Sequence, residues 1–309
     1  MFRFVRRRAL TSLLPLLFVL LGVFVLARLT GNPASLYLPE SATPAQRDAF
    51  NARNGFDDPI LSQMWDYLGG VFQLDFGTSL RTGESASAMA LRAFPATLQL
   101  AVTTMLIAIL LAVVLGSWAA FRPNSIADRI ASFVSMTAAS MPDFWFAITG
   151  IWIFAVVLGV LPTSGTDAGM LSWVLPVVTL AIRPVGVLTQ VVRGAMVSAL
   201  SAPYVRLARS KGATDVRVVT HHALRNAAAP ALTVAGDLAV GLVNGAVVVE
   251  SIFGWPGIGN LMIDSITGRD FATLQACVLL TAVAIFVLNI LIDVCYALLD
   301  ARVREPAKV

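Results

Sequence analysis

Few residues in this chain have side chains able to do chemistry, and most of those lie in or beside long apolar runs. Arg183, Gln190, Asp237 and Asn244 fall inside such runs. An ionisable group at the centre of a membrane helix costs about 2.5–3.5 kcal/mol on insertion scales, so it faces protein or water rather than lipid. At helical spacing Arg183 shares a face with Thr179, Gly186 and Gln190, and Asp237 shares one with Gly241 and Asn244. Two uses fit. The faces could line a path for a polar solute, or Arg183 could pair with Asp237 or Asp143 and join helices. Asn289 and Asp293 share a third face that resembles packing positions. Catalysis fits poorly, because no G-x-S-x-G, H-E-x-x-H or G-x-x-x-x-G-K-[ST] occurs. The stretch Gly254, Trp255, Pro256, Gly257 and Gly259 follows no strand and contains a proline, so it reads as a turn capping or re-entering a membrane surface. His221 and His222 have no further ligands nearby, no apolar run contains a histidine, and there is no C-x-x-C. Cys277 and Cys295 fall in one run. No metal, haem, disulfide or other cofactor is expected on the chain.

A second cluster of functional residues is the polar stretch Pro203–Pro230, PYVRLARSKGATDVRVVTHHALRNAAAP. Its Arg206, Arg209, Lys211, Arg217 and Arg225 face one acid, Asp215. Pro203 suits the first turn of a helix. Tyr204, Leu207 and Ala208 then recur on one apolar edge, and Gly212 stops or bends that helix. By charge alone this is either a basic loop held against anionic lipid or a docking site.

The surrounding elements must be membrane helices. Of 309 residues, 57% are hydrophobic and 13% charged, and the mean hydropathy is +0.79. A soluble domain carries roughly 25% charged residues. The net charge of +4 is no nucleic-acid signal, because the basic residues sit in loops beside apolar runs. The expectation is an all-α polytopic membrane protein with six transmembrane helices, both termini cytoplasmic, and one large external (periplasmic) segment after the first span. Its parts are residues 1–30 (basic start and first span), 31–92 (external) and 93–309 (five-span core with the loop 203–230).

The first span covers Ala9–Ala27 and ends at Gly31, Asn32 and Pro33. The external segment holds a helix from the capping box Thr43 to Gln46, and another after Asp58 and Pro59 with Ile60, Met64, Tyr67, Leu68 and Val71 on one face. It covers the membrane surface or docks a partner. The second span opens at Phe94 and Pro95 and runs to Phe121. The third runs from Ile130 to Pro162 with a kink at Pro142. The fourth covers Trp173–Ala199, the fifth Ala231–Glu250 and the sixth Phe271–Leu299. Apart from Arg28 and Arg183, which fall within or at the edge of spans, most basic residues (Arg3, Arg6, Arg7, Arg8, Arg122, Arg129, Arg193, Arg302, Arg304, Lys308 and the loop cluster) fall on one side, which the positive-inside bias makes cytoplasmic.

The loop pattern Y-V-R-x-A-R-x-K-G, nine residues, then H-A-L-R-N-A-x-x-P resembles the cytoplasmic coupling loop of bacterial ABC-importer permeases. Their general form is E-A-A-x3-G-x9-I-x-L-P. Ala208, Gly212 and Leu224 match it, while Arg206, Leu207 and His222 replace Glu, Ala and Ile, and the proline comes later, at Pro230. These departures resemble the dipeptide/oligopeptide/nickel branch. So do Asp57–Gly70, Asp75–Glu84, the run VVVESIFGWPGIG at Val247–Gly259, and Asn289, Asp293, Tyr296 and Asp300 near the end, where Ala301 replaces the usual proline.

The resemblance implies a permease subunit that is not itself an enzyme. Pro203–Gly212 would be a coupling helix seated on a cytoplasmic ATPase. Tyr204 and Leu207 would be its buried contacts, and Arg206, Arg209 and Lys211 its polar ones. ATP and Mg would sit on two ATPase subunits. A second, sibling permease would complete the pore, an extracytoplasmic binding protein would deliver the solute, and lipid of the bacterial inner membrane would surround it. Peptides are the commonest solute of the branch; nickel and glutathione are others. A channel or scaffold independent of an ATPase is the alternative.

Overall fold

The computed structural model describes residues 17–22, 24–25, 34, 38–39, 41–79, 81–121 and 123–299. Among them regular structure is helical, apart from one isolated antiparallel bridge between Thr78 and Ser85. Among the described residues, four helices are long and apolar enough to cross a membrane. These are α3 (Ala86–Phe121), α6 (Leu171–Ser201), α8 (Asp215–Phe253) and the Phe271–Ile292 part of α10 (Phe271–Leu299). A fifth candidate is broken into α4 (Ile126–Ser140) and α5 (Asp143–Val157), which meet at 100°. Of the expected first span, residues 17–22 and 24–25 are helical. The rest of it lies outside the described residues, as do Gly31–Pro33, Arg122, both termini and Asp300.

The chain divides into two compact units, Met1–Ala96 with Pro256–Phe286 and Thr97–Trp255 with Val287–Val309. The first unit holds α1 (Pro44–Arg53), α2 (Ile60–Gln73), the start of α3, α9 (Ile258–Thr267) and most of α10. Helix α1 begins at the expected capping box: Thr43 Oγ1 accepts from the Gln46 N–H at 3.3 Å, and Gln46 Oε1 accepts from the Thr43 N–H at 2.9 Å. In α2 the expected face is half-buried at Met64, Tyr67, Leu68 and Val71, but Ile60 is exposed. Tyr67 stacks on Phe24, with ring centroids 5.5 Å apart. Burial pushes its phenol up to about 12.

Helix α3 starts well before Pro95, which lies inside it. The extra turns are held because Ala86 and Ala90 pack with Ile258, Ala276 and Cys277. Inside the helix Pro95 forgoes one backbone hydrogen bond and crowds the carbonyl four residues back, and apolar burial offsets that loss. Asp270, buried before α10, accepts from Ser79 Oγ at 2.5 Å and from Thr273 Oγ1 at 2.8 Å. That carboxylate ties the segment before α3 to the last helix.

The second unit is organised around α6, which packs against α4, α5 and α8. Its apolar window is 56% buried, against 28% for α3 and α8, so α6 is the hub. Pro176 and Pro184 lie inside it and are mostly covered by neighbours. Two glycines permit close approach. A Cβ on Gly186 would lie 2.5 Å from the Ser135 carbonyl oxygen, and one on Gly116 would lie 2.8 Å from Val192 Cβ. Small residues at such crossings let membrane helices touch backbone to backbone.

The expected third span differs most from the sequence reading. Met141 is extended (φ −89°, ψ 144°) and Pro142 begins α5. Proline disfavours helical geometry in the residue before it. Met141 therefore breaks the span outright rather than kinking it.

Candidate coupling site

Helix α6 ends for the same local reason. Ala202, just before Pro203, is extended (φ −70°, ψ 150°), and α7 (Pro203–Ser210) starts at the proline. Helix α7 is eight residues long and closes in a Schellman motif. The Ala213 N–H donates to the Ala208 carbonyl at 3.1 Å, and the Gly212 N–H to the Arg209 carbonyl at 2.9 Å. Gly212 supplies the left-handed turn this requires, at φ +83°. The spacing Ala208-x3-Gly212 thus has a direct physical meaning: Ala208 supplies the carbonyl that accepts the outer cap bond, and Gly212 is the left-handed residue that closes the cap.

After the turn, Thr214 caps the next helical start by accepting from the Arg217 N–H. Residues Val218–Ala223 form a wide π-helical turn before the regular helix Leu224–Phe253. The stretch 203–230 is therefore two helices around a tight turn rather than a loop, and Pro230 lies inside the second. Neighbouring helices resatisfy backbone groups freed by such prolines.

The site residues divide by exposure. Val205, not singled out from the sequence, is the α7 side chain buried within the chain. Tyr204 and Leu207 are exposed, Ala208 is half-buried, and Arg206, Arg209, Lys211 and Gly212 are exposed. Val205 anchors α7 inward while the Tyr204 and Leu207 edge faces away from the fold. Asn226 Nδ2 donates to Tyr204 Oη at 3.0 Å and to the His222 carbonyl at 2.8 Å, crossing from α8 to α7. His222 and Leu224 are half-buried, and Leu224 packs on a core of Ala120, Val192, Met196, Ala199, Ala223 and Ala227.

Asp215 pairs with Arg209 at 3.3 Å, with both side chains well exposed. Such a pair is worth about 0–1 kcal/mol. Among the described residues Arg206, Lys211, Arg217 and Arg225 form no ion pair, so the surface around α7 is strongly cationic.

The intramembrane polar residues separate. On α8, Asp237, Gly241 and Asn244 form an exposed stripe. On α6, Gln190 Nε2 donates to the Ser132 carbonyl of α4 at 3.3 Å. Arg183 is exposed and makes no ion pair within 4 Å among the described residues. The structure thus brings Gln190 to α4, and joins neither Gln190 nor Arg183 to Asp237. Sequence reasoning missed the Asp128–Arg193 ion pair between α4 and α6. The sequence showed only the helix start, where Ser125 precedes Asp128 by three residues. Trp255, in the turn after α8, is buried edge-to-face on Trp173 with centroids 4.6 Å apart.

Residues 112–305 match the family of binding-protein-dependent transport system inner membrane components, and residues 1–101 match its N-terminal segment. The chain belongs to that family. It is 37% identical to the di/tripeptide transport system permease DppB of Pseudomonas aeruginosa, over 99% of both chains. It is 33% identical to the oligopeptide permease AppB of Bacillus subtilis (97% and 99% covered). It is 34% identical to the glutathione permease GsiC of Escherichia coli K12 (96% and 97%).

Its fold matches a chain of the MetNI methionine ABC transporter, with TM-score 0.57 and 17% identity over 69% of this chain and 96% of that one. It also matches an amino acid ABC transporter crystallised with histidines, with TM-score 0.54 and 16% identity over 68% and 94%. The protein is accordingly a multi-pass permease subunit of an ABC importer.

Proposed function

We propose that this permease carries short peptides, di- to oligopeptides or glutathione, into the cytoplasm across a bacterial inner membrane. Its relatives named above move such solutes. In this reading the chain has six spans with both ends cytoplasmic. A sibling permease completes the pore, and an extracytoplasmic binding protein delivers solute at the external segment. Two separate ATPase chains hold ATP and Mg, and each permease docks one of them.

The observation that carries the coupling role is α7 itself. It is a short helix with a fixed end, anchored by Val205, that presents Tyr204, Leu207 and four unpaired cations nearby. The exposed apolar edge seats in a groove of the ATPase, and Arg206, Arg209 and Lys211 bind its rim. ATP-driven movement of that groove shifts α7 and switches access to the path. Arg183, Gln190, Asp237 and Asn244 are the proposed polar groups along that path. A peptide zwitterion brings one charge of each sign, which Asp237 and Arg183 complement.

The test is to purify the C-terminally tagged chain from its own membrane and reconstitute what accompanies it into proteoliposomes. A P-loop ATPase, a second permease and ATP-driven uptake of a labelled tripeptide are expected. A single species, still without ATPase after cross-linking in the membrane, would leave an ATPase-independent channel instead. Uptake of nickel but no peptide would overturn the substrate.

A further inference from the structure

Helices α4 and α6 run antiparallel along a seam of polar and small residues. At one end Arg193 of α6 grips Asp128 of α4 with two hydrogen bonds, Nε to Oδ1 and Nη2 to Oδ2, the latter at 2.6 Å. One turn on, Gln190 donates to the Ser132 carbonyl. One turn further, Gly186 lies so close to Ser135 that no Cβ would fit. The α4 positions 128, 132 and 135 and the α6 positions 193, 190 and 186 thus pair in order. The break at Met141 and Pro142 follows Ser135 by six residues along the same arm.

Asp128 is held by more than Arg193. Its Oδ2 also accepts from the Asn124 N–H at 2.8 Å, and its own N–H donates to Ser125 Oγ at 3.2 Å. Asn124 adopts φ +66° to make this turn. Only 2% of Asp128 is exposed. By contrast Ile126, Ile130, Phe133 and Val134 of the same helix are well exposed. The start of α4 is therefore held to the fold chiefly through Asp128. A bidentate arginine–carboxylate pair fixes orientation as well as distance. Arg193 lies eight residues before Ser201, about 12 Å along the helix. Its neighbours Val192 and Met196 belong to the core that also contains Ala223 and Ala227 from the far side of α7.

We propose that the Asp128–Arg193 pair is a clamp that makes α4 and α6 one rigid lever, carrying displacement of α7 to the break at Met141 and Pro142. The clamp rests on the importer reading above, and Asp128 and Arg193 are positioning residues that touch neither solute nor nucleotide. When α7 moves, α6 moves with it because only Ala202 separates them. The clamp drags the start of α4 along, and the joint opens or closes at the other end of the seam.

The experiment compares wild type, Asp128→Asn, Arg193→Gln, the double variant and Arg193→Lys in the whole reconstituted complex. The readout is labelled tripeptide moved per ATP hydrolysed, normalised to assembled complex. Asp128→Asn keeps an acceptor for the Asn124 N–H and loses the charge. Each neutral single variant is expected to lower the ratio roughly tenfold while ATP hydrolysis continues, with the double no worse than either single, as for partners in one interaction. Arg193→Lys keeps the charge without the fork and is expected to fall between, and it serves where the neutral variants do not assemble. Ratios within twofold of wild type in every variant would overturn the clamp, as would losses in the double equal to the product of the singles. A wild-type complex that hydrolyses no ATP or moves no tripeptide would instead overturn the importer reading, before any variant is compared.

Discussion

Replacing Gly212 tests the coupling helix most directly. Among the described residues nothing lies within 4 Å of a Cβ built on it, so no described neighbour resists a side chain. The resistance is in its own backbone, at φ +83°. An L-residue there costs about 1–2 kcal/mol, and asparagine less, because it tolerates left-handed geometry. Helix α7 has only eight residues, and isolated helices that short are marginal in water. Its end depends on the two cap bonds, from Ala213 to Ala208 and from Gly212 to Arg209. A penalty of about 1–2 kcal/mol lowers the capped population by a factor of roughly 5–30. Valine, stiff at χ1, should cost more than alanine.

The assay is ATP-driven uptake by variants at equal membrane levels, with the amount of co-purified ATPase measured alongside. The expected order is Gly, then Asn, then Ala, with Val inactive although present in the membrane. Normal uptake by Gly212→Val would refute the cap argument. Asparagine as damaging as valine would show that the glycine is needed for close approach of a partner surface, not for its φ.

Other expectations follow from single contacts. Gly186→Ala places a Cβ 2.5 Å from the Ser135 carbonyl, so the α4–α6 crossing must part at a cost of about 1–3 kcal/mol; the check is the thermal unfolding midpoint of purified protein, which should fall by several degrees. Ser79→Ala removes the hydroxyl that donates to buried Asp270 at 2.5 Å, so the same melt should show a loss of about 1–3 kcal/mol, whereas Tyr204→Phe, which deletes one exposed acceptor of Asn226, should cost about 1 kcal/mol or less. If Asp237 lines the path, Asp237→Asn should lower peptide uptake while ATPase co-purification persists; unchanged uptake would remove it from the path. A C-terminal fluorescent or phosphatase fusion reports the side of that terminus, which the six-span reading makes cytoplasmic.

Features encoded within a few residues were legible. The capping box at Thr43 and Gln46, the start of α7 at Pro203 and its stop at Gly212 all follow from local backbone chemistry. Features that need a distant partner were not. Pro95 marks a helix start by propensity, yet α3 begins at Ala86, because Ile258 and Cys277 cover its first turns. Pro142 is compatible with a bend of any size, and the 100° break depends on what holds each arm. Gln190 and Arg183 share a sequence face, but only the packed structure turns Gln190 to Ser132 and leaves Arg183 exposed. The Asp128–Arg193 pair joins residues 65 positions apart, and counting Arg193 merely as one more basic residue hid it. Val205 was passed over because the apolar edge through Tyr204 and Leu207 pointed elsewhere.

The broken third candidate span bears on how the protein is made. The arms Asp128–Ser140 and Asp143–Val157 are each about 20 Å long at the helical rise, short of the roughly 30 Å hydrocarbon layer. Bent at 100°, neither arm crosses that layer alone, and the stretch leaves the insertion machinery before α6. The partner that would settle it, α6 with Gly186 and Arg193, has by then not been synthesised. The α4–α5 stretch therefore reaches its bent seat only after α6 arrives. Mutations that weaken the α4–α6 seam should then appear first as degraded, half-inserted chains during synthesis, and only second as slow transporters.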